Sequence, residues 1–272
     1  MHNEQPAQQY QLEVSPTLAR IRRLQNEREY RDLHGLFFIE GVRNFVQTVD
    51  NHFSIHTLAY SEKLLINPVA RKLVRGLKRG GTPFARLTPE QFRFISKAEH
   101  ASGIAAIVQH RIRNLIEIEP EDCQCWTALS RVRSPGNFGT LIRTSAATGA
   151  TGFILLGDSI DPYDPSVVRA TMGALFKQSL ARTTVEELRR WAVRRHVNIL
   201  GASPDGSMDY DRINYKRPTV LVLGTERSGL TKQEREICHR IVRIPMVDGV
   251  DSLNLSVAGS LMLYQVFRTS PG

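Results

Sequence analysis

Three short stretches of this sequence carry the residue types that chemistry asks for. SPGNFGTLIRTSAATGA, residues 134–150, offers an amide at Asn137 and a guanidinium at Arg143. LVLGTERSGL, residues 221–230, runs from an apolar segment into Gly224 and then a carboxylate at Glu226. IPMVDGVDSLNLSVAGSLMLYQVF, residues 244–267, sets the polar cluster Asp251-Ser252-Leu253-Asn254 at the mouth of what reads as a buried helix. Singly, each has a plain structural explanation. Pro135-Gly136-Asn137 suits a turn and helix cap, Gly224 a strand end, Glu226 a surface loop, and Ser252 or Asn254 a cap for the last helix. Arg143 has the sharpest chemical constraint. A guanidinium keeps its proton in proteins, so it can hold an anion but cannot act as a base.

The elements that must position these residues follow from apolar periodicity. In the second half, strands are predicted at 126–132, 152–156, 197–201, 219–223 and 241–244, and helices at 138–148, 165–172, 185–194, 232–239 and 255–267. Short apolar strands alternating with helices imply an α/β fold with a mostly parallel sheet covered on both faces. Ligands of such sheets bind at the carboxyl ends of the strands, which is where the three stretches fall. The first half reads as a smaller α/β unit. Ser15-Pro16 opens a helix that places Leu18, Ile21, Leu24 and Leu33 near one face, and Gly35 stops it. Strands at 36–39, 56–60, 84–87 and 104–109 then alternate with helices at 42–49, 68–77 and 89–98. The resulting plan is a tail at 1–14, a first domain at 15–110, a polar acidic linker at 111–124 and a second domain at 125–272.

Charge narrows the partners. The 272 residues carry a formal net charge of +9, which favours a polyanion: RNA, DNA or an anionic membrane. From Lys63 to Arg86 the basic residues include Arg71, Lys72, Arg75, Lys78 and Arg79, with no acidic residue between Lys63 and Glu90. That one-signed helix is the candidate nucleic-acid surface. No apolar run is long enough to span a bilayer, so no membrane partner is expected. Three cysteines, Cys123, Cys125 and Cys238, form no zinc or disulfide pattern and suit a reducing cytoplasm. The histidines form no metal-spaced pair, so no metal is expected. GxGxxG after a first strand is missing, which argues against a nicotinamide dehydrogenase.

Together, in this order and spacing, the three stretches resemble the SpoU (TrmH) family of SPOUT RNA ribose 2′-O-methyltransferases. Asn137, Gly139 and Arg143 match the family's first motif. Gly224, Glu226, Gly229 and Leu230 match the second, and Ile244, Pro245, Met246, Ser252, Leu253, Asn254, Ser256 and Ala258 the third. VVRATMGALF, residues 167–176, is similar to the arginine-bearing segment between the first two, which makes Arg169 a phosphate-binding candidate. Ser134-Pro135 stands where many relatives have Asp-Pro. Residues 38–41, FIEG, resemble part of the ribosomal-protein-like substrate-binding domain that many members carry.

The resemblance implies a trefoil-knotted domain, a homodimer built through it, and S-adenosylmethionine as methyl donor. It places the cofactor on Gly224, Ile244 and Leu253 with Leu223 and Met246 beside them, Gly224 lacking a Cβ so that backbone can approach closely. It puts Asn137, Arg143, Glu226, Ser252 and Asn254 at the reacting ribose. Arg143 would hold a phosphate or the developing alkoxide, and Asn137 would fix the ribose or orient Arg143. Glu226 would be proton acceptor or structural partner for the arginine, and Ser252 and Asn254 would hydrogen-bond the substrate or the motif loops. Small residues after Asn254, among them Ser256, Ala258, Gly259 and Ser260, would let the last helix pack closely on the knot or on a partner subunit. Ribosomal RNA is the favoured substrate. A tRNA substrate, methylation of a base nitrogen, and a non-catalytic RNA-binding protein on the same fold are the alternatives.

Overall fold

The computed structural model describes residues 15–121, 124–157, 160–225 and 228–269. The tail at 1–14, Cys123 and Glu226 lie outside the described residues. Two compact units divide the chain: one runs up to Val46 and takes in Ser54–Val108, the other comprises Gln47–Phe53 and the residues from Gln109 onward. No local pattern in the sequence marks the excursion of Gln47–Phe53 into the second unit.

In the first unit, Ser15 caps α1 (Pro16–Asn26) by accepting the Leu18 N–H at 3.4 Å. The helix breaks where Glu27 turns extended, φ −116° and ψ 108°, and restarts as α2 (Arg28–His34), which ends on the left-handed Gly35. That break overturns one expectation. Leu18, Ile21 and Leu24 are fully buried, but Leu33 is 81% exposed, because the helical register does not carry across Glu27. The chain continues through β1 (Leu36–Glu40), α3 (Val42–Asp50), β2 (Ile55–Tyr60), α4 (Pro68–Arg79), β3 (Phe84–Arg86), α5 (Pro89–Ile95) and β4 (Ile104–Gln109). The strands form a sheet in the order β1-β4-β2-β3, with β2 antiparallel to β4 and parallel to β3. Leu36, Phe38, Ala59, Ala105 and Ile107 pack under α1 and α5 as its core. FIEG is structural here. Gly41 sits at φ +97°, and the Glu40 carboxylate accepts the Lys97 N–H at 2.9 Å and the Ser96 hydroxyl.

The second unit holds β5 (Arg113–Asn114), β6 (Cys125–Ser130), α6 (Pro135–Ala147), β7 (Gly152–Leu156), α7 (Pro165–Ala170), β8 (Ser179–Thr183), α8 (Val185–Arg194), β9 (Asn198–Ala202), β10 (Met208–Asp209), β11 (Thr219–Leu223), α9 (Lys232–Ile237), β12 (Arg240–Arg243) and α10 (Leu255–Arg268). Its eight strands run in the order β10-β12-β9-β11-β6-β7-β8-β5, and neighbouring pairs are parallel throughout. The mostly parallel sheet predicted from the strand–helix alternation is present, with SLART at 179–183 as an additional inner strand. The stretch predicted as a linker is partly built into this unit. β5 adds an edge strand, Leu115 and Ile118 are buried, and the Trp191 indole donates to the Ile118 carbonyl at 2.9 Å.

Alternation along the central strands serves both faces. Trp126, Ala128, Val220 and Val222 pack with Leu188 and Trp191 of α8, whereas Cys125 and Leu221 pack with Met262, Leu263 and Val266 of α10. From β6 the chain steps outward through β7 and β8, then returns to build β9, β11 and β12 on the other side. The connection therefore reverses direction between β6 and β11, the position at which parallel sheets open a crevice beyond their strand ends.

Candidate active site

A cavity of about 260 Å³ opens at the carboxyl ends of β9, β11 and β12. Ala202, Ser203 and Pro204 form its wall after β9, and Leu223, Gly224, Thr225 and Gly229 its wall after β11. The long loop after β12 contributes Ile244, Met246, Asp251, Ser252 and Leu253, and α10 contributes Leu255 and Ala258. All five residues expected at the cofactor thus line one cavity, and of the residues expected around the ribose Ser252 lines it too.

Gly224 has a structural reason to lack a side chain besides the one its motif suggests. A Cβ there would lie 2.1 Å from the Gly229 carbonyl carbon and 2.4 Å from the Leu230 nitrogen. The residue is pressed against its own loop, which Thr225 and Gly229 close through paired main-chain bonds of 2.9 and 3.1 Å. The absent side chain lets the loop fold back and form the cavity wall.

The polar cluster before α10 performs two tasks at once. Asn254 Oδ1 accepts the Ser256 N–H at 2.9 Å, capping the helix, while Asn254 Nδ2 donates to Asn137 Oδ1 at 3.1 Å. This bond ties the first motif to the third across 117 residues of chain. The two helices stay together further along, where the Thr144 and Ser260 hydroxyls lie 2.9 Å apart. A Cβ on Gly259 would meet Leu141 at 2.5 Å and Leu223 at 2.6 Å, so the small residues of α10 serve contact within the chain. Asn254→Ala removes both bonds. Its melting temperature should fall further than that of Asn137→Ala, which loses the link between the helices but keeps the cap, worth about 1 kcal/mol. Equal melting temperatures for the two variants would show that the cap contributes nothing.

Ser134 caps α6, accepting the Asn137 N–H at 3.3 Å, so the replacement of the family's aspartate leaves the cap in place. Gly139 lets α6 and α7 touch, since a Cβ would lie 2.4 Å from that of Ala170. Arg143 lies one turn beyond this crossing and Arg169 directly before it. Both are exposed, and neither lines the cavity. The structure therefore gathers the cofactor candidates but leaves Arg143 on the surface, on the α7 side of its helix. Asn137 and Asn254 sit beside the cavity without lining it.

Several residues here carried no sequence signal strong enough to single them out. Ser203 and Pro204 line the cavity, and their loop is pinned by Arg235 of α9, which donates to Ser203 Oγ at 2.9 Å and to the Asp205 carboxylate at 2.6 and 2.8 Å. The Arg235 hydrogen bond, with help from Ser203, holds the Asp205 carboxyl below its ordinary range, so this clamp is charged at neutral pH. Arg131 and Met172, both exposed, adopt left-handed backbone at φ +50° and +51°, a conformation costly for side chains with a Cβ. The Ser-Pro turn after β9 was the one visible hint.

The cavity suits an adenine nucleoside. Leu223, Ile244, Leu253 and Leu255 offer apolar faces to a ring, and Gly224 leaves its loop backbone bare. Within Met246–Leu253, among the described residues, one internal main-chain bond is made, Val250 N–H to Val247 C=O at 3.4 Å, which leaves other peptide groups free to meet a base edge. Among the described residues no group of three or more His, Cys, Asp or Glu comes together. Burial pushes the Cys125 and Cys238 thiols up to about 12, which removes them as nucleophiles.

In the first unit, the basic candidates divide by helical face. Arg71 donates to the Leu65 carbonyl and Lys78 to the Tyr60 hydroxyl at 2.9 Å, while Lys72 and Arg79 fall on a neighbouring, exposed stripe of α4.

Residues 125–264 match the SpoU rRNA Methylase family, which covers the cavity and both helices joined at Asn137 and Asn254. The chain belongs to the SpoU rRNA methylase family. Residues 15–106 match the MRM3-like substrate binding domain. Among SpoU relatives, a 23S rRNA (uridine(2479)-2′-O)-methyltransferase from Streptomyces viridochromogenes is 29% identical over 252 residues, 90% of this chain and 87% of that protein. An AdoMet-bound rRNA methyltransferase from Sinorhizobium meliloti superposes with a TM-score of 0.87 at 32% identity, covering 96% of this chain and 97% of the other. A SpoU methyltransferase from Streptomyces viridochromogenes, in complex with AdoMet, gives 0.85 at 28% identity over 93% and 97% of the two chains. The fold of the second unit is that of the SPOUT methyltransferases.

Proposed function

We propose that this protein transfers a methyl group from S-adenosylmethionine to a ribose 2′-hydroxyl of RNA, with ribosomal RNA as the substrate. The observation that carries the reading is the single cavity in which Leu223, Gly224, Ile244, Met246 and Leu253 converge, braced by the Asn137–Asn254 bond. When bound, the cofactor supplies a methyl group activated by its sulfonium charge. The chain's own work is positioning. The cavity loops hold the nucleoside, and Asn137, Ser252 and Asn254 fix the ribose so that oxygen, carbon and sulfur lie in line. Arg143, exposed beside α7, meets the RNA instead of the cofactor: its guanidinium holds a phosphate or offsets the charge that develops on the 2′-oxygen. Arg169 extends this basic edge. Glu226, which follows Thr225 in the sequence, is the candidate proton acceptor.

The same reading includes the knotted path of the SPOUT domain and a homodimer. In support of the dimer, Val257, Leu261, Tyr264 and Phe267 form a stripe on α10 that is between 37% and 51% exposed, on a helix whose opposite face is buried. Leu261→Asp combined with Tyr264→Asp should yield monomers in sedimentation. A monomeric wild type would remove the dimer. No helix among the described residues is long and apolar enough to cross a membrane, and the site of action proposed is the cytoplasm, where ribosomal RNA lies.

The deciding experiment incubates the purified chain with radiolabelled S-adenosylmethionine and either rRNA or tRNA, then digests the product with nucleases. Label should appear in rRNA on a ribose. Label on a base, or transfer to tRNA alone, would replace the substrate assignment. No transfer to either would favour a binding protein on a methyltransferase fold.

A further inference from the structure

The first unit contains a groove of about 360 Å³ between α4 and β2, apart from the cofactor cavity. Its floor is apolar: Leu65, Val74 and the ring of Tyr60 are each less than 5% exposed. Arg71, Arg75 and Lys78 follow one another along its rim at the i, i+4, i+7 spacing of a helix face. Lys78 is held in place twice, donating to the Tyr60 hydroxyl at 2.9 Å and lying 4.2 Å from the centre of the Phe84 ring, which is 50% exposed. Glu62, the acidic member of the lining, is paired with Arg86.

A helix that only tracked a duplex backbone would need no hollow behind its arginines. An apolar floor under a cationic rim, with an exposed aromatic ring alongside, is the combination that takes a base out of its stack while holding its phosphates. We propose that this groove receives one unpaired nucleotide of the RNA. The base sits in the groove above the floor that Leu65 and Val74 close, the flanking phosphates lie against Arg71 and Arg75, and Phe84 offers a face to the neighbouring base. This rests on RNA being the substrate, as proposed above, and adds that the first unit reads single-stranded loop or bulge nucleotides. Lys72 and Arg79, on the adjacent stripe, would contribute attraction without selectivity.

The test uses the full chain without cofactor and a short oligouridine carrying one 2-aminopurine, compared with a blunt-ended RNA duplex. Wild type should bind the single strand more tightly and shift the 2-aminopurine emission. Arg75→Ala and Phe84→Ala should each weaken single-strand binding about tenfold and leave duplex binding nearly unchanged. Arg79→Ala should weaken both RNAs alike. Equal losses for single strand and duplex in Arg75→Ala, or an unchanged emission on binding, would overturn the groove assignment, as would failure to bind either RNA. Binding is read without methyl transfer, so an inactive but groove-competent chain would count against the proposed function and leave this inference standing.

Discussion

Replacing Arg143 with alanine is expected to lower methyl transfer to RNA by about 10²–10³-fold, the usual cost of removing a group that stabilises transition-state charge. Cofactor affinity and melting temperature should stay within error of wild type. The structure supports that separation, because Arg143 is exposed, stands outside the cavity and forms no ion pair with a described residue. Radiolabel transfer at saturating RNA, with calorimetric titration of S-adenosylmethionine on the same sample, reads both quantities. Arg143→Lys separates the two roles proposed for the guanidinium. A point contact with the single oxygen of a developing alkoxide tolerates an ammonium better than a bidentate grip on a phosphate does. Retention of most activity in Arg143→Ala would take the residue out of the mechanism.

The opposite pattern is expected of Gly224→Ala. The new methyl group would be driven into the Gly229–Leu230 backbone, which has no flexible side-chain end to give way. The loop must open, and with it the wall that carries Leu223 and Thr225. Steric misfits of this kind cost about 1–3 kcal/mol, so cofactor affinity should fall by roughly ten- to a hundredfold. Gly136→Ala is the control. A Cβ there meets nothing closer than the Ser134 hydroxyl oxygen, at 3.7 Å. Cofactor affinity unchanged in Gly224→Ala would mean that the loop does not need its present closure.

Much of the site was legible because its signals are local. Strand ends followed by Gly224, by Ile244-Pro245-Met246 and by Ser252-Leu253-Asn254 are visible in a window of a few residues, and all of these but Pro245 and Asn254 line the cavity. Capping at Ser134 and Asn254 is likewise written next to the helices it serves. Glycine was harder to interpret. Gly139, Gly224 and Gly259 look alike in sequence, yet a different neighbour lies where each Cβ would be: Ala170, the Gly229–Leu230 backbone of its own loop, and Leu141 with Leu223.

The chain's own letters determined the two α/β units, the basic helix and most of the residue types that line the cavity, since apolar period and charge need no partner to be recognised. Tertiary structure alone decided that β8 joins the sheet, that Ser203 and Pro204 from β9 complete the cavity, that Leu33 faces solvent, and that Arg143 stands on the surface while Asn137 reaches Asn254. Strand order and close approach are contacts between segments far apart in the chain, and short-range patterns hold no record of which segments meet.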